Sequence, residues 1–533
     1  MKIKYNELAK VFYAESSYEE RHTLKQAGFW FHWATPNKCR NGAACNLCQA
    51  GLGKVWWTTH EACASRLIEY ADDTAKVHLD EHIKTVIASK ATDVQIEIPC
   101  PEGLSYLPFQ KAGIAYAFDR KATLIGDEMG LGKTIQALGV VNNNESIQSI
   151  LIIVPASLRI NWQRECEKWL IHDFNIFVVE KNTKVLENAD IVIVNYDMLK
   201  GEVFKSIKSR KFDLMITDEC HKVKNPKAKR TKTVLGYYDR NKKEHVPGLV
   251  DNCKQLIFLT GTPFLNRPIE IQPIIGALDP HQFSNFFKFA KRYCNAHKTQ
   301  YGWDFSGATN LEELQEKLRG SVMIRRLKKQ VLTELPPKRR QVVPLAINGA
   351  AKAVEAEIVA YQAREDKLEQ LRQDVNLTHA AGNEEEYKDA VQQLRDAAQV
   401  AFTEISKARH SVAIAKLPGV IKYINNILES GVEKLIIFAH HHDVINKLME
   451  HLGDCAVQLT GQDKQIDRQA AVDRFQSDPK CKVFVGSIQA AGVGLTLTAA
   501  SNVIFVELDW VPANITQAED RCHRIGQNGH VLI

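Results

Sequence analysis

The sequence predicts an α/β fold of two parallel-sheet lobes with a helical insertion between them and a small N-terminal α+β module. Three observations predict it. Short apolar runs alternate with helical segments in two separate stretches, residues 122–262 and residues 411 onward. Between them, residues 350–410 are rich in Ala, Glu, Gln and Lys and contain no proline, which favours long helices. Residues 1–95 hold four of the eight tryptophans and a group of cysteines.

Length and composition set the outer limits of the interpretation. At 533 residues the chain is too long for one hydrophobic core. It contains no apolar run of the roughly 20 residues that cross a membrane, and its first residues lack a signal-peptide core. Its twelve scattered cysteines are typical of a reduced compartment. We therefore expect an intracellular protein with no membrane partner, in the cytoplasm or nucleoid, or in the nucleus if the source is eukaryotic.

The apolar runs divide the chain into domains. We predict an N-terminal module over 1–95, a first lobe over 96–282, a linker with helical protrusions over 283–410, and a second lobe over 411–533. Nine runs suit strands that are buried on both faces of a parallel sheet, as in RecA-like lobes: Ala122–Gly126, Ile150–Pro155, Ile191–Asn195, Leu214–Thr217, Leu256–Thr260, Lys434–Ala439, Ala456–Leu459, Lys482–Val485 and Val503–Val506. The helical insertion is either a protrusion packed on the lobes or a partner-binding coiled coil.

A glycine-rich run stands between the first predicted strand and a predicted helix. Glycines there let backbone N–H groups approach phosphate oxygens, with the helix N-terminus pointing at them. The strict phosphate-loop pattern has glycine at position 127, where this chain has Asp127. We predict that Lys133 reaches the β- and γ-phosphates of ATP and that the Thr134 hydroxyl binds Mg²⁺. The other predicted ATP-binding residues of this loop are Gly126, Asp127, Glu128, Met129, Gly130, Leu131 and Gly132.

Two further motifs follow strands of the first lobe. Asp218 and Glu219 end a strand, at the edge of the sheet where α/β proteins bind their ligands. We predict that Asp218 holds Mg²⁺, directly or through water, and that Glu219 polarises the attacking water as a general base. Thr260, Gly261 and Thr262 follow the next strand, where we expect them to couple the nucleotide state to a nucleic-acid face.

The second lobe carries a pair of arginines. Gln517, Arg521 and Arg524 are spaced i, i+4 and i+7, which predicts one face of a helix. Across a cleft between the lobes the two arginines would reach the γ-phosphate as arginine fingers, which are worth about 10³–10⁵ in rate. A second glycine-bearing loop, with Gly492 and Gly494, is predicted to contact nucleic-acid phosphates.

Two groups of basic residues lie beside these motifs. A solvated charged face is one interpretation, and contact with a nucleic-acid backbone is the one we favour. The first group is Lys222, Lys224, Lys227, Lys229, Arg230 and Lys232, and the second is Arg325, Arg326, Lys328, Lys329, Lys338, Arg339 and Arg340. The net charge of +6 permits such a partner without demanding one.

The N-terminal module contains candidate metal ligands. Cys45 and Cys48 have the spacing of a metal knuckle, and with Cys39 and Cys63 they form a candidate site for structural Zn²⁺. His60 and His32 are alternatives to Cys63. Free reduced cysteines are the alternative to a metal site.

Two aromatic strands flank these cysteines. Phe29–Ala34 and Lys54–Thr59 predict two aromatic strands. The module resembles the small aromatic hairpin domains that are attached to DNA-processing enzymes. Trp56 and Trp57 in the second strand either stack on nucleic-acid bases or form a packing core.

At this point the motifs resemble those of a family, the Swi/Snf-type ATPases of helicase superfamily two, over about residues 100–528. The segments that carry the resemblance are Asp127-Glu-Met-Gly-Leu-Gly-Lys-Thr134, Asp218-Glu-Cys-His221, Leu259-Thr-Gly-Thr-Pro263 and Arg521-Cys-His-Arg-Ile-Gly-Gln527. Cys220 departs from the family's Asp-Glu-Ala-His box. The resemblance implies an ATP site between the lobes, in which Gln110 reads the adenine edge.

Within that family the chain is similar to the annealing-helicase, HARP-type branch. The segments are Arg292-Tyr-Cys294, Gly302-Trp-Asp-Phe-Ser-Gly307, Asn310-Leu-Glu-Glu-Leu314, Met323-Ile-Arg-Arg326 and Phe438-Ala-His-His441. This resemblance implies a monomeric motor that duplex DNA stimulates and that moves along duplex or branched DNA, independently of sequence, without necessarily separating its strands. Family members continue beyond Gln527 with a further strand and helices, so we expect the second lobe to be incomplete.

Two other functions stay open at this stage. The first is a strand-separating helicase acting on DNA or RNA. The second is a DNA-binding scaffold that does not hydrolyse ATP because its second lobe cannot close.

Overall fold

In the computed structural model of the protein, the described residues are 1–32, 45–59, 61–180, 183, 185–239, 241–263, 267–299, 302–345, 351–380, 384–491, 495–527 and 529–533. The chain divides into two compact units, Met1–Thr333 and Glu334–Ile533. No helix in the described part of the chain is both long and apolar enough to cross a lipid bilayer.

The N-terminal module is a small antiparallel sheet with helices packed on it. Its elements are β1 (Lys2–Asn6), β2 (Val11–Glu15), α1 (Arg21–Ala27), β3 (Trp30–Phe31), α2 (Asn46–Gln49), β4 (Trp56–Thr58), α3 (Glu61–Ser65) and α4 (Asp73–Lys90), and the strand order is β1-β2-β4-β3. The two predicted aromatic strands pair with each other, Trp30 opposite Trp57 and Phe31 opposite Trp56. Trp56 and Trp57 pack against the buried clusters of the module, so packing is the interpretation that the structure supports for them.

The first α/β lobe is built on a parallel sheet with the strand order β15-β5-β12-β9-β6-β8-β7. The elements up to the last long strand are α5 (Pro108–Phe118), β5 (Ala122–Ile125), α6 (Lys133–Asn142), β6 (Ile150–Val154), α7 (Arg159–Trp169), β7 (Ile176–Val178), β8 (Ile191–Asn195), α8 (Gly201–Lys208), β9 (Phe212–Thr217), α9 (Lys229–Leu235), the hairpin β10 (Tyr237–Asp239) and β11 (Glu244–Val246), and β12 (Cys253–Leu259). All five predicted strands of this lobe are present. Every residue of β6 and β8 is buried, because helices cover both faces of a parallel sheet.

From β12 to Thr333 the chain remains in the first unit. It forms α10 (Gln272–Leu278), α11 (Pro280–Phe283), α12 (Phe286–Tyr293), the hairpin β13 (His297–Thr299) and β14 (Gly302–Asp304), α13 (Leu311–Arg319), β15 (Met323–Ile324) and α14 (Lys328–Val331). β15 pairs with β5 at the edge of the sheet. A segment that the sequence suggested as linker therefore supplies a strand of the first lobe, and two residues are too few for a periodicity to reveal it.

The second unit has its own parallel sheet, with the strand order β16-β21-β20-β17-β19-β18. Its elements are β16 (Lys338–Arg339), α15 (Ala351–Ala380), α16 (Glu384–Glu429), β17 (Leu435–Ala439), α17 (His442–Leu452), β18 (Ala456–Leu459), α18 (Gln465–Ser477), β19 (Val483–Ser487), α19 (Ile488–Ala491), β20 (Asn502–Phe505), α20 (Pro512–Glu519) and β21 (Val531–Leu532). The helical insertion is the pair α15 and α16, joined by a bond from Arg409 to Glu357. The predicted fold class is thus confirmed: two parallel-sheet lobes, a helical insertion and a small N-terminal module.

Candidate nucleoside triphosphate site

The glycine-rich run forms a tight loop between β5 and α6. Gly130 and Gly132 have φ angles of 83° and 70°, in the left-handed region that glycine tolerates best. A Cβ on Gly132 would lie 2.4 Å from the Gln110 side-chain nitrogen, so a larger residue would displace the Gln110 amide and strain the backbone. The loop therefore has the backbone shape that a phosphate cradle needs, with the N-terminus of α6 at its end.

The side chain of Lys133 bonds back to the backbone of its own loop. Its Nζ donates to the backbone oxygens of Asp127, at 3.0 Å, and Glu128, at 3.4 Å. A Cβ on Gly261 would lie 3.4 Å from the same Nζ and 2.5 Å from Met129 Cγ. The structure thus brings the motif that follows β12 against the phosphate loop.

Asp218 and Glu219 follow β9 at the same edge of the sheet. Asp218 Oδ2 accepts from Trp162 Nε1 at 2.9 Å, and Oδ1 accepts from the Glu219 N–H at 2.8 Å. The Tyr196 hydroxyl donates to the Asp218 carbonyl oxygen at 2.6 Å. Glu219 has a φ of 48°, so the backbone turns sharply between the two carboxylates. A buried tryptophan and a buried tyrosine therefore fix the position of Asp218.

The electrostatics of Asp218 are those of a cation site. Burial, then the charge of Glu219, raise the pKa of Asp218 to about 6, while the bond from Trp162 and the charge of Lys133 oppose the rise. Two crowded carboxylates in a buried setting are stabilised by a cation, and carboxylate and hydroxyl oxygens are the ligands that Mg²⁺ takes. Asp218 and the half-buried Thr134 therefore fit the predicted Mg²⁺ ligands in chemistry.

His221 links the carboxylate pair to the segment after β12. Its Nδ1 lies 3.2 Å from Glu219 Oε2 and 3.5 Å from Thr260 Oγ1. Thr260 Oγ1 also accepts from the Thr262 N–H at 3.2 Å. These contacts give a physical route by which a change at Glu219 reaches the Thr260–Thr262 turn.

Asp127 has a different place from its neighbours in the loop. Its side chain is fully buried and takes two bonds at Oδ1 from Arg326, from the N–H at 2.8 Å and from Nε at 3.0 Å. Gln136 Nε2 donates to Oδ2 at 3.0 Å, and a second guanidinium nitrogen of Arg326 also contacts Oδ2. The carboxylate therefore holds the segment that follows β15 against the loop, and its bonds to Arg326 and Gln136 occupy it inside the protein.

The second basic group is mostly used inside the protein, which corrects its interpretation as a nucleic-acid surface. Arg326 is 1% exposed, and Arg325 Nη1 donates to the Gly126 carbonyl oxygen at 2.7 Å. Lys338 and Arg340 bond to the buried carboxylate of Glu519. These cations bond to carboxylates and carbonyl oxygens that are far away in the sequence. Clustering of basic residues in the sequence therefore did not show that they form a nucleic-acid surface.

The first basic group keeps more of its charge at the surface. Lys224 Nζ lies 3.0 Å from Glu270 Oε1, and Arg230 is 3.9 Å from Asp197. The exposed members are Lys222, Lys227, Lys229, Arg230 and Lys232. This surface follows Asp218 and Glu219 directly, so it remains the candidate for backbone contact.

Gln110 lies beside the phosphate loop. Its Oε1 accepts from the Leu107 N–H at 3.0 Å and its Nε2 donates to the Leu131 carbonyl oxygen at 3.4 Å. An amide group has a further lone pair and a further N–H to offer a base. The structure thus places Gln110 at the start of α5 and against the loop, with its side chain buried, and its predicted contact with adenine stays a prediction.

In the second unit the arginines are not on a helix, which corrects the predicted i, i+4, i+7 face. α20 contains Gln517 but ends at Glu519, where i→i−4 bonding gives way to shorter turns. Arg521 Nη1 and Arg524 Nη1 both donate to the Leu495 carbonyl oxygen, at 3.4 and 2.8 Å. The structure therefore still brings the two arginines together, through a shared acceptor.

Leu495, whose carbonyl oxygen is that acceptor, directly follows Gly494 of the predicted glycine-bearing loop. Arg524 also donates to Thr496 Oγ1 at 3.0 Å. Gly492 and Gly494, predicted to contact phosphates, lie outside the described residues.

The metal candidates of the N-terminal module separate into two places. His32, Cys45 and Cys48 have ligand atoms within 4.8 Å of one another. Cys63 is instead fully buried, where a Cβ on Gly28 would lie 2.7 Å from its Sγ. Burial, then the charge of Glu313, raise the pKa of the Cys63 thiol to about 12. Of the alternatives to Cys63, His32 joins the knuckle, while His60 and also Cys39 lie outside the described residues.

The sequence did not point to Trp162, Gln136 or Glu519, although each holds a motif residue in place. Trp162 is one of the buried residues of α7, with nothing in the sequence to set it apart from an ordinary core residue. The pair Arg325-Arg326 did carry a signal of a buried cation. Adjacent residues of an extended segment point to opposite faces, so two arginines after an apolar dipeptide cannot both lie on one face.

Together the fold and these residues define a class, the phosphate-loop proteins with two α/β lobes. The model of the SNF2-related domain matches residues 109–399, more than half of the chain, and that of the helicase conserved C-terminal domain matches residues 417–526. The chain belongs to the SNF2-related family. The resemblance to Swi/Snf-type ATPases is confirmed.

The similar proteins agree with the predicted branch. The human "DNA annealing helicase and endonuclease ZRANB3" is 36% identical over 447 residues, which are 80% of this chain and 38% of that protein. The Xenopus tropicalis "SWI/SNF-related matrix-associated actin-dependent regulator of chromatin subfamily A-like protein 1" is 35% identical over 459 residues, 84% of this chain and 44% of that protein. The chain thus spans less than half the length of these relatives.

Among solved structures, the "Sulfolobus solfataricus SWI2/SNF2 ATPase core in complex with dsDNA" is similar to this chain. It matches with a TM-score of 0.39 at 24% identity, over 82% of this chain and 89% of that chain.

Proposed function

We propose that the protein is an ATP- and Mg²⁺-dependent DNA translocase of the Swi/Snf type, which couples ATP hydrolysis to movement along duplex or branched DNA in the manner of an annealing helicase. The observation that carries the proposal is the meeting of Lys133, the Asp218–Glu219 pair and the Thr260–Thr262 turn at one edge of one parallel sheet. Ligands of open α/β sheets bind at this edge.

Each residue has a chemical task in this proposal. Lys133 leaves its two carbonyl acceptors for the β- and γ-phosphates, and Glu219 orients a water for attack on the γ-phosphate. Mg²⁺, held by Asp218 and Thr134, would neutralise charge on the phosphates. Arg521 and Arg524 of the second lobe supply the positive charge that the transition state requires.

DNA is the proposed partner because exposed lysines follow the carboxylate pair. Lys222, Lys227, Lys229 and Lys232 lie on one short stretch after β9 and present charge without base-reading side chains. Such contacts are independent of sequence and weaken with salt. The names of the relatives, which include a DNA annealing helicase, also support this choice.

Phosphate release tests the proposal. We expect release that duplex DNA stimulates more than single-stranded DNA or RNA, and that falls at least about 10³-fold in Lys133→Ala. Lys121→Ala is the matched control, since Lys121 is an exposed lysine at the opposite end of β5. Greater stimulation by a single strand or by RNA would favour a strand-separating helicase. Salt-sensitive DNA binding without any phosphate release would favour a non-hydrolysing scaffold.

We also propose that His32, Cys45 and Cys48 bind a structural Zn²⁺. His32 Nε2 lies 3.3 Å from Cys48 Sγ and 3.7 Å from Cys45 Sγ. A tetrahedral Zn²⁺ with ordinary bond lengths sets a sulfur–nitrogen separation of about 3.6 Å, so the group fits. Zinc measured by elemental analysis of the purified protein should be close to one per chain and be lost in Cys48→Ser. Cys63→Ser, the control, should keep it.

A further inference from the structure

A cationic cavity with a tryptophan at its side lies where the N-terminal module meets the first lobe. We name it the Trp30 cavity, and its volume is about 270 Å³. Its lining includes Trp30 of β3, Phe283 of α11, Lys288, Lys291 and Arg292 of α12, and Lys317 of α13. The phosphate loop and the cysteine group take no part in it, so it is a second candidate site.

The cavity carries an excess of positive charge. Among the described residues, the four cations that line it lie near two carboxylates. Glu313 accepts from Arg292 Nε at 3.0 Å and from the Tyr293 hydroxyl at 2.9 Å, and the charge of Asp279 acts on Lys317. Four positive charges and two negative ones leave a net charge of +2 among these groups. Positive charge lining a concave surface draws in anions.

Lys317 is the most buried of these cations. Its residue is 7% exposed, and its Nζ lies 5.0 Å from the centre of the Phe283 ring. Burial, then the charge of Lys288, lower its pKa to about 8, against the opposing charge of Glu313. A bound anion would stabilise this ammonium group, so the site has a built-in preference for negative charge.

Two exposed aromatic side chains flank the same cations. Trp30 is 55% exposed and its ring centre lies 5.6 Å from the Arg292 guanidinium, while Trp303 is 42% exposed. Trp303 stacks on Phe305 with ring planes 7° apart, and Lys291 Nζ lies 5.7 Å from the Trp303 ring centre. An exposed tryptophan face beside a cation is a typical platform for nucleic-acid bases.

We propose that the Trp30 cavity binds an unpaired nucleotide of a DNA strand, with its base against Trp30 and its phosphate on Lys288, Lys291 and Lys317. The inference rests on the proposed DNA partner and adds a single-stranded site to it. A cavity of this size admits a single nucleotide group, not a base-paired helix. An acidic peptide would use the lysines but gain nothing from an exposed indole face.

Binding of a fluorescently labelled twelve-residue oligothymidylate, compared with a twelve-base-pair duplex, tests this site in the full chain without ATP. Trp30→Ala should weaken oligothymidylate binding about 5- to 150-fold, since stacking contributes about 1–3 kcal/mol per base. Binding of the duplex should change less than 2-fold. Lys317→Met should lower the salt dependence of oligothymidylate binding by about 0.7 in log–log slope.

Matched variants separate stacking from general damage. Trp30→Phe keeps an aromatic face and should recover most of the affinity for the oligothymidylate. Tyr18→Ala removes an aromatic residue of the same module that is 78% exposed and does not line the cavity, and it should bind like the parent protein. Equal losses for duplex and single strand in Trp30→Ala, or no loss for either, would overturn the proposal. So would displacement of the oligothymidylate by an acidic peptide.

The pH dependence gives an independent check. Because the pKa of Lys317 is lowered, its charge is present below about pH 8 and is lost as the pH rises. Oligothymidylate binding should therefore weaken above pH 8, and Lys317→Met should lack this step. The groups that act on Lys317 are Lys288, Glu313, Cys63 and Asp279.

The experiment also keeps this inference distinct from the proposed ATPase. Lys133→Ala should bind the oligothymidylate normally. If the parent protein showed no DNA-stimulated phosphate release but needed Trp30 for strand binding, the ATPase proposal would fail and the Trp30 cavity would stand.

Discussion

In each α/β unit, cations from the stretch 325–340 bond to a buried carboxylate next to a motif, and we call each of these ion pairs an attachment. The two attachments differ in how much of their side chains is exposed to water. In the first unit Arg326 meets Asp127 of the phosphate loop, and the side chains are 1% and 0% exposed. In the second, Lys338 and Arg340 meet Glu519, which precedes the arginine turn. There the acid side chain is 1% exposed, but that of Arg340 is 63% exposed. The first attachment is sealed, and the second is open to salt and solvent.

A further difference separates these structural cations from those that we assign to the triphosphate. Lys133 donates to two backbone carbonyl oxygens, and Arg524 to one carbonyl and one hydroxyl oxygen. Bonds to neutral acceptors are weaker than those between a guanidinium and a buried carboxylate. A cation can therefore exchange a carbonyl for a phosphate at modest cost, whereas Arg326 cannot leave Asp127 without stranding a buried charge.

Arg524→Ala should have the largest effect and tests this distinction most directly. We expect DNA-stimulated phosphate release to fall about 10³-fold or more, because an arginine finger contributes this much to the rate. DNA binding should be retained, and thermal unfolding should be nearly unchanged. Arg340→Ala, the control, removes an arginine that bonds to Glu519 and should keep most of the turnover. Turnover of Arg524→Ala within about tenfold of the parent protein would exclude the assignment.

Arg326→Ala should instead act on stability. Removing one partner of a buried pair typically costs about 3–5 kcal/mol, because the other charge stays buried. Urea unfolding should show this loss in the first unit, and Arg325→Ala, which removes bonds to carbonyl oxygens, should lose clearly less. The double change Asp127→Leu with Arg326→Met should recover part of the stability, since it leaves no buried charge. A loss below about 1 kcal/mol in Arg326→Ala would contradict the sealed attachment.

The two attachments also show which parts of the site the sequence could predict. The strands, the phosphate loop and the Asp218–Glu219 pair follow from local patterns of apolar residues and glycine. The pairing of Asp127 with Arg326 joins residues 199 positions apart, and no local pattern records it. Glu519, the last residue of α20, likewise bonds to Lys338, 181 positions away, and the i, i+4, i+7 spacing contains no record of that bond.

Glu519→Gln should have a smaller effect than Arg326→Ala, and the effect should depend on salt. The change keeps the volume of the side chain but removes the charge that Lys338 and Arg340 share, which we expect to cost about 1.5–3 kcal/mol in the second unit. Because Arg340 is exposed, the cost should shrink as salt rises, unlike that of Arg326→Ala. Urea unfolding at low and high salt measures how the loss of stability in each variant depends on salt. Equal salt dependence of the two variants would remove the contrast between the attachments.

Trp162→Phe should give the smallest effect, a change in pH dependence. Burial and the charge of Glu219 raise the pKa of Asp218 to about 6, and the bond from Trp162 Nε1 opposes that rise. The stability that this carboxyl group contributes is therefore present at low pH and is lost as the pH rises through about 6. Activity has the opposite sign, because holding Mg²⁺ requires the ionised group. Phosphate release at limiting Mg²⁺ should thus fall below about pH 6.

Removing the Trp162 bond should move this acid limb of the activity upward by about one to two pH units, because a bond to a charged group contributes about 1.5–3 kcal/mol and one unit corresponds to about 1.36 kcal/mol. Saturating Mg²⁺ should move the limb back down in both proteins, since a bound cation favours the ionised carboxylate. Trp169→Phe is the matched control on the same helix, where Trp169 packs 5.4 Å from the ring of Tyr106. If both variants shifted the limb equally, packing of α7 rather than the bond to Asp218 would set its position.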